Sequence, residues 1–419
     1  MPELNLFGVL TMASNTLIDV ATYQMSGLAL LQNMYCYINK ANTKFKDFDR
    51  IVNNRGASVT FDLPPRFSTE DSLVASFQDS EQRLETLTVN KAASVAYEFT
   101  SQEEIFNVHD YMDRFGRSAV AELGAKVEAD VAEENLVPYR FFGDGTTAID
   151  SFTQLSRALA FYRTYGAPLT DTRGVLSDID VPAIIGSGLA QFAPKRNDEI
   201  AYTWMVGDYD KCEWYRSNLL PVHTAGNVGE NATTLTVVSI NGAGDQITVN
   251  TGGAADADAI KENDLLQFSD GVSGQPNMRY LTFIGHTESA NPVQVRATAD
   301  AAADAGGDVV ISIDPPLVST AGDKDQNINN AVAAGMELTA LPSHRAGLIY
   351  GGDALYLGMP RLPEQEPFPT ANAVDPDSGV SMRLYYGTKF GENQKGFVND
   401  VIWGKTLVPE YGMRLVFPL

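Results

Sequence analysis

"RLETLTVNKAASVAYEF", Arg83 to Phe99, is the stretch on which the reading of the fold turns. Leu87, Val89, Ala93, Val95, Tyr97 and Phe99 fall on alternate positions, and Thr86, Thr88, Asn90, Ser94 and Glu98 take the other face. A period of two marks a β-strand with one apolar and one polar side. Unbroken, the run spans roughly 55 Å at ~3.3 Å per residue, against ~17–20 Å for a common strand. Such a strand either reaches beyond its own domain or lies at the centre of an intramolecular sheet.

The flanking sequence supplies partners. Val59, Phe61 and Leu63 alternate until Pro64 and Pro65 end the pattern, so this shorter strand pairs antiparallel with the long one, and "STEDSLVASFQDSEQ" makes the tip. Upstream, residues 14–38 read as a helix with Leu17, Ile18, Ala21, Met25, Leu28 and Leu31 on one face. Downstream, Glu103 to Asn135 has helical spacing: Val108, Met112, Phe115, Ala119, Leu123, Val127 and Val131 form one side, and Arg117, Glu122, Lys126 and Asp130 the other. About thirty residues make a rod of roughly 45 Å. A second helix follows through Ile149, Phe152, Leu155, Leu159 and Tyr162, with Gly166 as its stop signal.

Residues 227–320 change character. "TTLTVVSI", "QITVNTG", "DLLQFSD", "RYLTFIGHT", "PVQVRAT" and "DVVISID" are six short apolar-rich segments separated by turn residues, which points to a small inserted all-β barrel or sandwich. This segment holds twelve acidic and three basic residues, a large part of the net charge of −23. The C-terminal "SMRLYYGTKFGENQKGFVNDVIWGKTLVPEYGMRLVFPL" reads as three or four strands returning to the main sheet.

Chemistry is scarce. The excess of 53 acidic over 30 basic residues argues against a nucleic-acid grip, which needs clustered Lys and Arg. His109, His223, His286 and His344 are scattered singletons, read as surface or core residues. "WGKTL" lacks the upstream glycine of a phosphate loop, because that position is Asn399. "GGAADADAIKEND", Gly252 to Asp264, has Ile260 and Lys261 where a calcium loop needs an oxygen ligand and a glycine, so it reads as an acidic solvated turn. Cys36 and Cys212 read as lone thiols of a reducing compartment. The N-terminus lacks the basic region of a secretory signal, and no stretch of eighteen apolar residues suggests a membrane span. No catalytic residue, cofactor or metal is expected.

The order of helical arm, long hairpin, long helix, mixed domain and terminal strands resembles the HK97-like major capsid proteins of tailed bacteriophages. The inserted β-segment is similar to the insertion domain of the Salmonella short-tailed phage coat proteins. The resemblance implies an α+β fold with a six-stranded barrel insert. Its expected divisions are an N-terminal helical arm (1–47), an E-loop hairpin (48–99), a peripheral domain with the spine helix (100–165), an axial domain in two parts (166–226 and 321–375) around the insert (227–320), and C-terminal peripheral strands (376–419).

It further implies a subunit that assembles with itself into hexamers and pentamers of an icosahedral shell. That shell would enclose double-stranded DNA without sequence-specific binding, with a scaffolding protein and a portal as partners. Localisation would be the virion, after assembly in the host bacterial cytoplasm. Leu87, Val89, Val95, Tyr97 and Phe99 would make the inter-subunit hairpin contact, each worth roughly 1.5–3 kcal/mol when buried. Asp19 would be the scaffold contact, and Asp256, Asp258, Glu262 and Asp270 would lie in an inter-capsomer loop. Lys91 would be the one lysine of the long strand open to covalent cross-linking, and no cross-link is expected. The alternatives are an encapsulin-like compartment shell, against which the acidic insert argues, and an enzyme or carbohydrate-binding protein with a β-module.

Overall fold

The computed structural model describes residues 36–43, 58–68, 77, 82–100, 111–166, 171–188, 207–282, 285–374, 381–388 and 394–419. Most of the expected first helix and Asp19 lie outside them. Among the described residues, no helix is long and apolar enough to cross a membrane.

Arg83–Thr100 is one strand of 18 residues, as its alternation predicts, and it changes partner part-way. Ser58–Leu63 pairs with its first third, from Ser58 opposite Thr88 to Leu63 opposite Arg83. From Val89 onward it pairs with the return strand Gln394–Leu407, ending with Thr100 opposite Gln394. Ser381–Thr388 and Thr370–Val374 continue this long antiparallel sheet, and Leu355–Gly358 pairs with the far end of the return strand. Within the hairpin expected over 48–99, the paired stem stops at Thr88, and residues 89–100 pair with the return strand. Alternation identifies a covered face and carries no information about which segment covers it.

The long helix, Tyr111–Ala132, lies across this sheet. Ala119, Leu123, Val127 and Val131 are buried as their spacing predicts, the last three in a cluster with Val401 and Trp403 of the return strand. Asp130 departs from the expected solvent face and is 6% exposed. Its carboxylate accepts the Trp403 indole N–H at 2.8 Å and faces Lys91 and Lys405 at 3.7 and 3.6 Å. A charge at the rim of an apolar face is retained when cations satisfy it.

A second, mixed sheet runs in the order Phe141–Phe142, Gly412–Phe417, His344–Tyr350, Arg173–Ser177, Cys212–Ser217 and Gly207–Tyr209, with Val222–His223 also on His344–Tyr350. Helix Phe152–Thr164, capped by Ser151, packs Leu155, Leu159 and Tyr162 into one core with Ile184 and Ile185 of helix Val181–Gly188 and with the sheet residues Leu176, Trp214 and Leu415. The last strand, Gly412–Phe417, was expected with the peripheral strands; it lies in this second sheet, buried along its whole length. Covering on both faces turns a strand into a continuous run that alternation cannot place.

The insert is a closed antiparallel six-stranded barrel in the order Leu265–Phe268, Gln294–Ala297, Asp308–Asp314, Gln246–Asn250, Thr234–Ile240 and Glu337–Ala340. Its interior is filled by Val237, Ile247, Val249, Phe268, Val295, Val309, Ile311 and Leu338. Two expectations change. Arg279–Leu281 is outside the barrel, paired with Glu288–Pro292. The sixth strand is Glu337–Ala340, beyond residue 320, closing the ring by pairing with both Leu265–Phe268 and Thr234–Ile240. Closure removes two open edges, and a four-residue strand is too short for alternation to announce it.

Gly404 sits where the long strand changes partner, beside a register shift between Val89 and Lys91. A Cβ at Gly404 would lie 2.4 Å from the Thr88 carbonyl oxygen and 2.8 Å from Val89 Cα, both backbone atoms that cannot step aside. Gly404→Ala is expected to destabilise the chain by about 1–3 kcal/mol through overpacking, read as a lowered midpoint in thermal unfolding; an unchanged midpoint contradicts this assignment.

Candidate assembly surfaces

The hairpin stem lies on its own chain. Phe61, Leu63 and Leu87 form a cluster with Tyr356 and Val408, and the Phe61 and Tyr356 rings are 4.3 Å apart. Leu87 is fully buried there, so this residue anchors the stem. Val89 packs partly on the same cluster, and Val95 partly on the core beneath the long helix. Tyr97 stacks on Phe397 across the strand pair, and Phe397 on Tyr386, with both ring separations at 5.5 Å. Phe99 takes the strand position opposite Lys395.

Exposed apolar groups on and next to the stem are Leu84, Phe67 and Phe77, at 56%, 57% and essentially full exposure. The sequence reading passed over them because Phe67 and Phe77 lie outside the alternating run and Leu84 sits on its polar face. On the other face of the long sheet, Gly387 and Gly396 are adjacent across the strands and leave a shallow cleft of about 260 Å³, with Phe368, Tyr385 and Val398 in its walls. Its lining is mostly apolar and gathers no set of polar groups suited to catalysis.

The acidic positions separate into two places. Asp256 and Asp258 are on the short strand Asp256–Ile260, which pairs with Ala301–Ala303 where a turn was expected. Asp256 accepts from the Asn227 side-chain amide at 2.9 and 3.0 Å. Exposed Glu262 follows, its backbone N–H donating to Asp300. Asp270 lies on another loop, ion-paired with Arg279 at 2.8 Å.

Asp264, expected in the same solvated turn, is completely buried. It accepts from His223 Nε2 at 2.7 Å and from the backbone N–H of Lys261 and Gly226 at 2.8 and 3.1 Å. The His344 ring is 5.2 Å from that of His223. His344 donates from Nδ1 to the Pro342 carbonyl at 2.8 Å, and its Nε2 accepts from Arg414 at 3.4 Å. Arg414 also donates to the carbonyls of Asn263 and Leu136. Two histidines 121 residues apart thus meet in a buried polar seam joining the barrel to the second sheet. No local signal could have paired them. Leu265, directed out of the barrel, packs beside the seam with Phe141, Leu341 and Val416.

Among the described residues, no group of three or more His, Cys, Asp or Glu is placed to hold a metal ion. Lys405 of "WGKTL" is in a strand, with its ammonium against Asp130, Glu133 and Glu134.

No protein-family model matches the chain, and no curated protein matches it. Several solved structures are similar to it. One, described as "Mycobacterium phage Che8", shares 9% identity at a TM-score of 0.44, covering 91% of this chain and 90% of that one. The capsid of Cyanophage P-SCSP1u shares 9% identity at a TM-score of 0.41, covering 86% and 83%. The virus-like particle from Pyrococcus furiosus shares 7% at 0.40, covering 94% and 97%.

Burial and the neighbouring Arg414 guanidinium push His344 down to about 3 from its ordinary 6.5. Below about pH 6.5 the unfolded chain takes up a proton on this residue that the folded chain refuses until about pH 3. Stability is therefore lost as pH falls through that window, at up to about 1.4 kcal/mol per pH unit. Comparing thermal midpoints at pH 7 and pH 4.5, His344→Gln should show a smaller drop than the unmodified chain; an equal drop contradicts the assignment.

Proposed function

We propose that this chain is the major capsid protein of a tailed bacteriophage, a structural subunit without enzymatic activity that closes an icosahedral shell around double-stranded DNA. The observation that carries the reading is the shared strand Arg83–Thr100: a hairpin leg runs without a break into a body sheet, and a long helix follows and lies on that sheet. Anything that loads the hairpin is transmitted into the body through one backbone. The resemblance of this element order to the HK97-like fold, together with a closed barrel inserted in the second domain, supports the same reading.

On this reading hexamers and pentamers form through overlapping hairpins. Exposed Leu84, Phe67 and Phe77 join Val89, Val95, Tyr97 and Phe99 as contact positions, while Leu87 holds the stem in place. Asp256, Asp258, Glu262 and Asp270 contact the neighbouring capsomer, and Asp19 a scaffolding protein. A portal completes the set of partners. Assembly takes place in the host bacterial cytoplasm, and the acidic chain contains its DNA without gripping it.

Electron microscopy of the protein, expressed alone and with its neighbouring genes, tests this. Closed shells or sheets of hexamers are expected. Homogeneous small oligomers under every condition contradict it, and shells whose neighbouring genes include no portal or terminase favour a cellular compartment instead. Mature particles boiled in denaturant should migrate as single subunits, because Lys91 faces Asp130 of its own chain; ladders of subunit multiples would show a covalent cross-link.

A further inference from the structure

The hairpin stem ends, at Leu63 and Arg83, against two carboxylates from distant parts of the chain, Glu410 and Asp325. Glu410, in the short turn Pro409–Tyr411, accepts from Arg66 and, at 2.6 Å, from Arg83. These two arginines flank the turn segment of the hairpin, one on each leg. Arg66 also pairs at 3.1 Å with Asp325, which follows the strand Asp308–Asp314 of the barrel.

Glu410 is held from beneath. Fully buried Arg140 donates to the Glu410 carbonyl at 2.6 Å and to the Gly412 carbonyl at 3.3 Å, with its guanidinium 4.0 Å from the Tyr165 ring centroid. The carboxylate is thus a fixed point, and the arginines belong to the hairpin. Around these pairs is a cavity of about 450 Å³, lined by Leu63, Tyr139, Tyr165, Pro315, Val318 and Val408 together with the charged groups themselves. Closely packed side chains do not fill this space. Leu63 is held by its apolar cluster, and beyond it the two legs are held at Arg66 and Arg83 by charge. The groups are partly buried, with side-chain exposures of 18% for Arg66, 26% for Arg83 and 15% for Glu410, so salt screens them less than a surface pair.

We propose that Glu410 is an ion-pair post that tethers both legs of the hairpin where its turn segment leaves the body, and that the inserted barrel, through Asp325, sets the direction of that segment. The barrel then acts as an intramolecular brace for the hairpin. This concerns a single chain and does not depend on the shell reading.

Hydrogen–deuterium exchange on the full chain tests it. Glu410→Gln keeps the shape and removes both pairs. Amides in 58–68 and 82–88 should exchange at least tenfold faster, while barrel strands 234–240 and 246–250 and the long helix keep their rates. Asp325→Asn, at a residue 40% exposed and so safe for folding, should speed exchange about threefold at Arg66 to Ser68 and leave 82–88 unchanged. Unchanged hairpin exchange in Glu410→Gln overturns the post, as does a rise shared equally by the barrel and the helix. Unchanged exchange at Arg66 to Ser68 in Asp325→Asn overturns the brace.

Discussion

One strand serving two partners is the constraint on which the architecture depends. Arg83–Thr100 gives its first third to the hairpin and its remainder to the return strand, and a sheet can make that exchange only where two backbones approach closely. Gly404 provides the place, since any Cβ there meets the Thr88 carbonyl. With the strand continuous, the hairpin cannot turn about its own axis without twisting the body sheet. The long helix, packed on that sheet through Leu123, Val127 and Val131, stiffens it further.

The barrel is joined to this frame differently. Its interior is apolar, yet its junction with the second sheet includes a seam of fully buried charged and polar groups: Asp264, His344 and Arg414, with nearly buried His223. Polar groups desolvated to this degree are costly unless each finds a partner. They find one another only in a single relative placement of barrel and sheet. Apolar packing alone tolerates sliding, whereas directed hydrogen bonds do not. The seam therefore fixes the insert in position as well as holding it.

Legibility in the sequence followed physical range. The strand of 83–100, the helix through Leu123 and Val131, the helix ending before Gly166 and five of the six barrel strands were readable, because each is written in a local period or a local stop signal. The sixth strand, Glu337–Ala340, was not, since closure is a property of the ring and four residues contain two inward positions. Nor was the destination of Gly412–Phe417, whose six buried residues have no alternation to report. Asp130, Asp264 and Glu410 were all misread or passed over for one reason: a carboxylate's burial depends on partners far away in sequence, such as Trp403 for Asp130 and Arg66 for Glu410.

Charge is distributed in a way that bears on association. Between residues 227 and 340 there are fifteen acidic against four basic residues, whereas residues 58–100, the hairpin with its turn segment and the long strand, carry seven against three. The barrel region thus holds about half of the net charge of −23, and like charge there acts over a screening length of about 8 Å at physiological salt. The hairpin and its strand carry a smaller excess of acid, and there the chain exposes Leu84, Phe67 and Phe77. Burying those apolar groups against another surface competes with the entropy of ordering them and with the remaining like-charge repulsion. A contact made by the acidic insert must therefore be met by cations on the surface opposite it, whereas one made at the hairpin can rest on apolar burial.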